Sequence, residues 1–160
     1  MNRNKKGIPC KVSGQMSNDT MGYRLYGYVI GKEVHFEIDN GRLYRLPQGS
    51  TEKYFMFGSV LFNHTMLQLF IYLLQHGRQN IVTKEELLRV VWEENDLVPS
   101  TQRLWQVLKN LNRRLSLLGL PEDFITSVRG SGYCINYVDI TPIYYRVSEL
   151  HHHPEEIKES

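Results

Sequence analysis

The sequence predicts an α+β fold in which a small antiparallel sheet comes first, three helices follow, and a β-hairpin ends the order. Three observations carry this. Short β-branched and aromatic runs occupy residues 23–57; the apolar period switches to three and four residues between 63 and 118; two more short runs then flank a turn with two glycines. With 160 residues there is room for one such domain and little else.

Runs 23–30, 34–38 and 43–46 read as strands. Gly31-Lys32 separates the first pair and Asn40-Gly41 the second; Asn-Gly readily takes the positive-φ geometry of a two-residue hairpin turn. A fourth run, 54–57, follows Pro47-Gln48-Gly49 and completes a four-stranded sheet. Asn63 is a suitable N-cap, and after it Leu67, Phe70, Ile71 and Leu74 form the apolar stripe of a helix that Gly77 closes. Thr83 and Glu86 make a capping box for a second helix, with Leu87, Leu88 and Val91 inward and an end near Glu94. Pro99 and Ser100 open the third helix, expected over 100–118. Its Leu104, Val107, Leu108, Leu111 and Leu115 give the strongest helical signal in the chain, and Gly119 and Pro121 stop it. Strands 125–128 and 133–138 then flank Arg129-Gly130-Ser131-Gly132, where the glycines allow backbone angles other residues resist.

Composition excludes several classes. The chain is 41% hydrophobic and 22% charged with a formal net charge of +2, too little to advertise a polyanion partner. Charge is uneven, however. Residues 1–22 carry Arg3, Lys5, Lys6 and Lys11 against Asp19, while 139–160 is acidic; both stretches are polar, aperiodic and expected to be mobile tails around a domain at 23–138. The start lacks the apolar stretch of a secretory signal. The run 66–74 is far below the roughly 18 residues of a membrane span. Cys10 and Cys134 suggest neither a disulfide framework nor a zinc knuckle, so a cytoplasmic protein without membrane contact is expected. His151-His152-His153 lacks a second ligand cluster, Cys134 lacks an activating partner, and no phosphate loop is present. No cofactor, metal or enzymatic activity is expected.

Chemistry concentrates on the third helix. Opposite its apolar stripe it shows Gln102, Arg103, Gln106, Lys109, Asn110 and Arg113, and residues 97–121 contain no acid against Arg103, Lys109, Arg113 and Arg114. Amide and guanidinium groups on a helix can form paired hydrogen bonds to base edges in a major groove, and flanking cations can meet phosphates. A solvated basic face is the plainer reading of the same residues. Arg129, on the glycine-bounded turn between Ser127 and Tyr133, could enter a minor groove, where negative potential is concentrated.

Taken together, the helix order, the segment from Thr83 to Trp92 and the run Val128-Arg-Gly-Ser-Gly-Tyr133 resemble the winged-helix DNA-binding domain of OmpR/PhoB-type regulators. The likeness is closest to the ToxR/CadC branch, which carries this domain without a receiver, and it covers about 23–138. The resemblance implies a winged helix-turn-helix: a four-stranded N-terminal sheet, three helices and a C-terminal hairpin wing. It implies a transcription regulator with the third helix in the major groove of duplex DNA and the wing arginine, Arg129, in the minor groove. Backbone contacts fall on Trp92, Ser127 and Tyr133, and base-reading positions on Gln102, Arg103, Gln106, Lys109 and Asn110.

Two departures stand out. The family's Leu-Arg near the end of the third helix is Leu111-Asn112 here, and a frequent arginine before it is Asn110, so phosphate binding is expected to lean on Arg113, Arg114 and the basic N-terminus. Trp105 stands where the family has smaller or acidic residues; it is expected to cover the loop between helices two and three, with a DNA contact as the alternative. The residues before the sheet are too few for a receiver domain, which takes ~100 or more. A homodimer on DNA and contact with RNA polymerase or another regulator are compatible additions. The competing reading is a winged-helix protein-interaction module that modulates such a partner without specific DNA binding; Asn110 and Asn112 favour it.

Overall fold

The structure, a computed structural model, describes residues 22–46 and 58–147. The expected strand at 54–57, the basic segment up to residue 21, Cys10 and the His151–His153 run lie outside the described residues. Residues 22–46, 58–67 and 139–147 belong to one compact unit and 68–138 to a second.

The first unit is built on a sheet: β1 (Tyr23–Ile30), β2 (Val34–Glu37), β3 (Arg42–Arg45), β4 (Ser59–Leu61) and β7 (Ile140–Arg146). Its five strands run in the order β4-β3-β2-β1-β7, and each neighbouring pair is antiparallel. Register explains the core. Pro142, Tyr28, Phe36, Leu43 and Val60 stand opposite one another across the five strands, and Ile140, Ile30 and Val34 form a parallel row. Tyr28, Phe36, Leu43, Ile30, Val34 and Ile140 are all buried. Alternate residues such as His35 and Tyr44 occupy the opposite face, where their rings stack at 5.4 Å.

The strand Ser59–Leu61 was not expected, and two expectations need correction here. Part of the supposed C-terminal tail is β7, which pairs with β1 along its length. The Asn40-Gly41 connection has four residues, because Glu37 and Arg42 form the closing pair. Only Gly41 in it has positive φ (+55°), while the Asn40 amide donates to Glu37 Oε2 at 3.1 Å. The side chain is thus used to brace a longer turn, in place of the left-handed conformation a two-residue turn demands.

Helix α1 (His64–His76) begins in the sheet unit and continues into the second. Asn63 Oδ1 accepts from the Met66 N–H at 2.9 Å, the capping expected of it. The second unit continues with α2 (Lys84–Val91), a 3-10 turn at Glu93–Asn95, α3 (Thr101–Leu117), β5 (Ile125–Val128) and β6 (Gly132–Ile135). Its core is aliphatic and aromatic: Leu69, Phe70 and Leu73 from α1, Leu87 and Val91 from α2, and Phe124 before β5 are fully buried. The Phe70 and Phe124 rings meet at 6.2 Å. No helix among the described residues is long and apolar enough to cross a membrane.

Candidate nucleic-acid interface

The helix pair is set by its caps. Thr83 Oγ1 accepts from the Glu86 N–H at 3.1 Å and starts α2. At the other end the Asn95 amide donates to the carbonyls of Val90 (3.1 Å) and Val91 (3.2 Å), satisfying groups a helix end leaves orphaned. Asp96 at φ +58° reverses the chain, so α2 stops at Val91 and tightens before Glu94. Ser100 Oγ then accepts from the Arg103 N–H at 3.3 Å and opens α3.

In α3 the steps of four, three and four between Leu104, Leu108, Leu111 and Leu115 keep them on one stripe, and all four are buried. At about 100° per residue, Gln102, Gln106, Lys109 and Arg113 centre on the opposite side. They are exposed, as are Arg103 and Asn110; Arg114 is half-buried. Among the described residues Arg103, Lys109, Arg113 and Arg129 form no ion pair, whereas Arg24, Arg45, Lys84 and Arg89 each hold a carboxylate. The cations of the α3 face and of the hairpin tip are therefore available to another anion.

The hairpin is fixed at its base and open at its tip. Val128 pairs with Gly132, leaving Arg129, Gly130 and Ser131 as a three-residue turn with Gly130 at φ +73°. Arg129 and Ser127 are exposed and Tyr133 is half-buried. On the β6 side, Tyr133 and Val82 exchange two backbone hydrogen bonds of 2.8 Å, which attaches the wing to the residue preceding the α2 cap. Gly132 passes so close that a Cβ there would lie 2.1 Å from the Val82 carbonyl oxygen. On the β5 side, Asn112 donates through Nδ2 to the Ile125 carbonyl (2.8 Å) and accepts through Oδ1 from the Ile125 N–H (3.0 Å). Its amide thus copies a β-ladder pairing and joins α3 to the wing.

The structure brings together Gln102, Arg103, Gln106, Lys109, Asn110 and Arg113 on one helix face, and Ser127 and Arg129 on the wing. Trp92, the expected backbone contact, is 2% exposed and caps the C-terminus of α2 within the core. Trp105, expected to cover the loop between α2 and α3 or else to contact DNA, is 55% exposed, with the Lys109 ammonium 5.0 Å from its ring centroid. Sequence reasoning missed Asn112 and Val82 as wing anchors. Asn112 meets its partner thirteen residues on, and only an amide short of charge on an otherwise basic segment hinted at another use.

Two capped helices with a charged, amide-bearing second helix, followed by a hairpin anchored beside it, define a winged helix-turn-helix domain. Residues 59–135 match the family described as "Transcriptional regulatory protein, C terminal", and over these residues the chain is similar to the OmpR/PhoB-type winged-helix DNA-binding domains, a regulatory and not a catalytic family. The fold is similar to that of the DNA-binding domain of E. coli CadC, with a TM-score of 0.52 and 19% identity over 74% of this chain and 96% of that one. Two further similar structures are the C-terminal domain of the lantibiotic response regulator NsrR (TM-score 0.45, 23% identity, 74% of this chain and 96% of that one) and the DNA-binding domain of the response regulator AdeR in complex with an intercistronic region (TM-score 0.47, 16% identity, 66% and 96%). No curated protein sequence matches the chain.

Proposed function

We propose that the chain regulates transcription by site-specific binding to duplex DNA, with α3 in the major groove and Arg129 at the wing tip in the minor groove. One observation carries the reading: an unbroken α3 face of amides and unpaired cations stands beside a wing anchored to that helix through Asn112. In this reading Gln102, Arg103, Gln106, Lys109 and Asn110 face base edges, where amide and guanidinium groups can pair bidentately. Arg113, Arg114, Ser127 and Tyr133 serve the sugar-phosphate backbone, and counterions released there make affinity fall with salt. The competing interaction-module reading leaned on Asn110 and Asn112; Asn112 is occupied in docking the wing, so its lack of charge no longer favours that reading.

Site selection from a random duplex pool, with binding measured against salt, tests this. Gln106→Ala is expected to relax preference at one base pair with a cost of about 1–3 kcal/mol there, and to leave nonspecific affinity nearly unchanged. Arg113→Ala is expected to weaken all sequences alike and flatten the salt dependence. A wild type that prefers no sequence removes the proposal and returns the domain to protein interaction.

A further inference from the structure

We propose that Trp105 is a specificity-determining residue of the α3 surface, its indole reading the 5-methyl group of thymine; this rests on the reading that α3 enters the major groove. The chain has two tryptophans and treats them oppositely: Trp92 is 2% exposed and Trp105 55%. An indole left in water forgoes one of the largest apolar burials a side chain can make. Among the described residues no aromatic ring pairs with it.

Its position is specific. Trp105 lies three residues after Gln102 and four before Lys109, so the three are neighbours on the helix surface. Seven residues on, Asn112 grips Ile125 of β5, so the stripe that carries Trp105 is the one bordering the wing. The Lys109 ammonium sits 5.0 Å from the ring centroid and braces the plate by cation–π attraction.

The chemistry of the groove matches this pair. Base edges there offer donors and acceptors, and one apolar group, the methyl of thymine. Gln102, Gln106 and Lys109 can answer the polar groups; none can distinguish a methyl. An indole can. Thymine also presents its O4 acceptor beside the methyl, as this surface presents an ammonium beside an indole.

The test replaces each thymine of the selected site singly by deoxyuridine, which removes the methyl and leaves O4 and base pairing in place. The full-length wild type is expected to lose about fourfold in affinity at one or two positions, the scale of one buried methyl. Trp105→Ala is expected to bind more weakly and to show no further loss at those positions. A deoxyuridine penalty undiminished in Trp105→Ala, or no penalty anywhere in the wild type, overturns the inference, while the Gln106 and Arg113 profiles still judge α3 itself. A wild type without sequence preference overturns both. Trp105→Phe, which leaves buried Trp92 as the emitter, guards against a folding artefact: it should abolish iodide-quenchable fluorescence. In the wild type the selected duplex should shield that emission, and undiminished quenching in the complex also overturns the inference.

Discussion

Leu108 and Lys109 are consecutive residues with opposite duties. Leu108 is 5% exposed at the centre of the buried stripe, and Lys109 stands on the exposed face with its ammonium over Trp105. Leu108→Ala is expected to destabilise by roughly 2–5 kcal/mol, through lost burial and the cavity left behind. Lys109→Ala should leave the melting temperature nearly unchanged and weaken DNA binding. Exchanged phenotypes in thermal melts and binding titrations would mean that α3 is rotated from the position described. At the wing, Arg129→Ala is expected to cost about 1–3 kcal/mol of affinity with the fold intact, as one lost groove contact. Unchanged affinity at physiological salt, with a normal melt, would remove the tip from the mechanism.

At the scale of elements, side-chain amides do work usually left to backbone. Asn112→Leu removes both hydrogen bonds to Ile125 and leaves its N–H and carbonyl without those partners, a loss of about 1–3 kcal/mol. Faster hydrogen exchange at Ile125, with weaker DNA binding despite an intact α3 face, is the expected outcome; unchanged exchange would show that the wing is held by Val82 alone. Between α1 and α2, the Tyr72 hydroxyl donates to the Glu86 carboxylate. Burial first, and then that bond, push the Tyr72 phenol up to about 12 from an ordinary 10.0. A raised phenol pKa means that its contribution to stability is complete below about pH 10 and is lost as pH rises toward 12. Tyr72→Phe should remove this part of the alkaline fall in stability, and an absorbance titration in which Tyr72 ionises like a free phenol would contradict it.

The molecule as a whole differs most from its sequence reading at the far end. In a chain stopped after Val138, β1 loses its β7 partner and Ile30 loses Ile140 beside it. Such a chain is expected to melt lower, exchange its β1 amides faster and self-associate through the bared edge; wild-type behaviour would show β7 to be dispensable. What was legible in the sequence was local. Helix caps at Asn63, Thr83 and Ser100 and the α3 stripe depend on neighbours within a turn or two. The wing turn depends on glycines that adopt positive φ. What was hidden depends on distant partners. Pro142 and the acidic surroundings disguised β7, though an edge strand tolerates proline. The docking of Asn112 on Ile125 is likewise decided by a residue outside its own helix.

The pairing of β1 with β7 also sets an order of events. Arg146 donates to the Tyr23 hydroxyl at 2.9 Å across a sequence separation of 123 residues, and the Val147 N–H reaches the Gly22 carbonyl at 2.7 Å. During synthesis, β1 leaves the ribosome early and its final neighbour emerges only after all three helices and the wing. The contacts that define 68–138 are complete in the nascent chain while one side of β1 still waits. Closing so long a loop is entropically slow, so amides shared by β1 and β7 should be the last to gain protection on refolding. A nascent chain halted before β7 should therefore already carry a finished α3 and wing, ready for DNA ahead of the sheet.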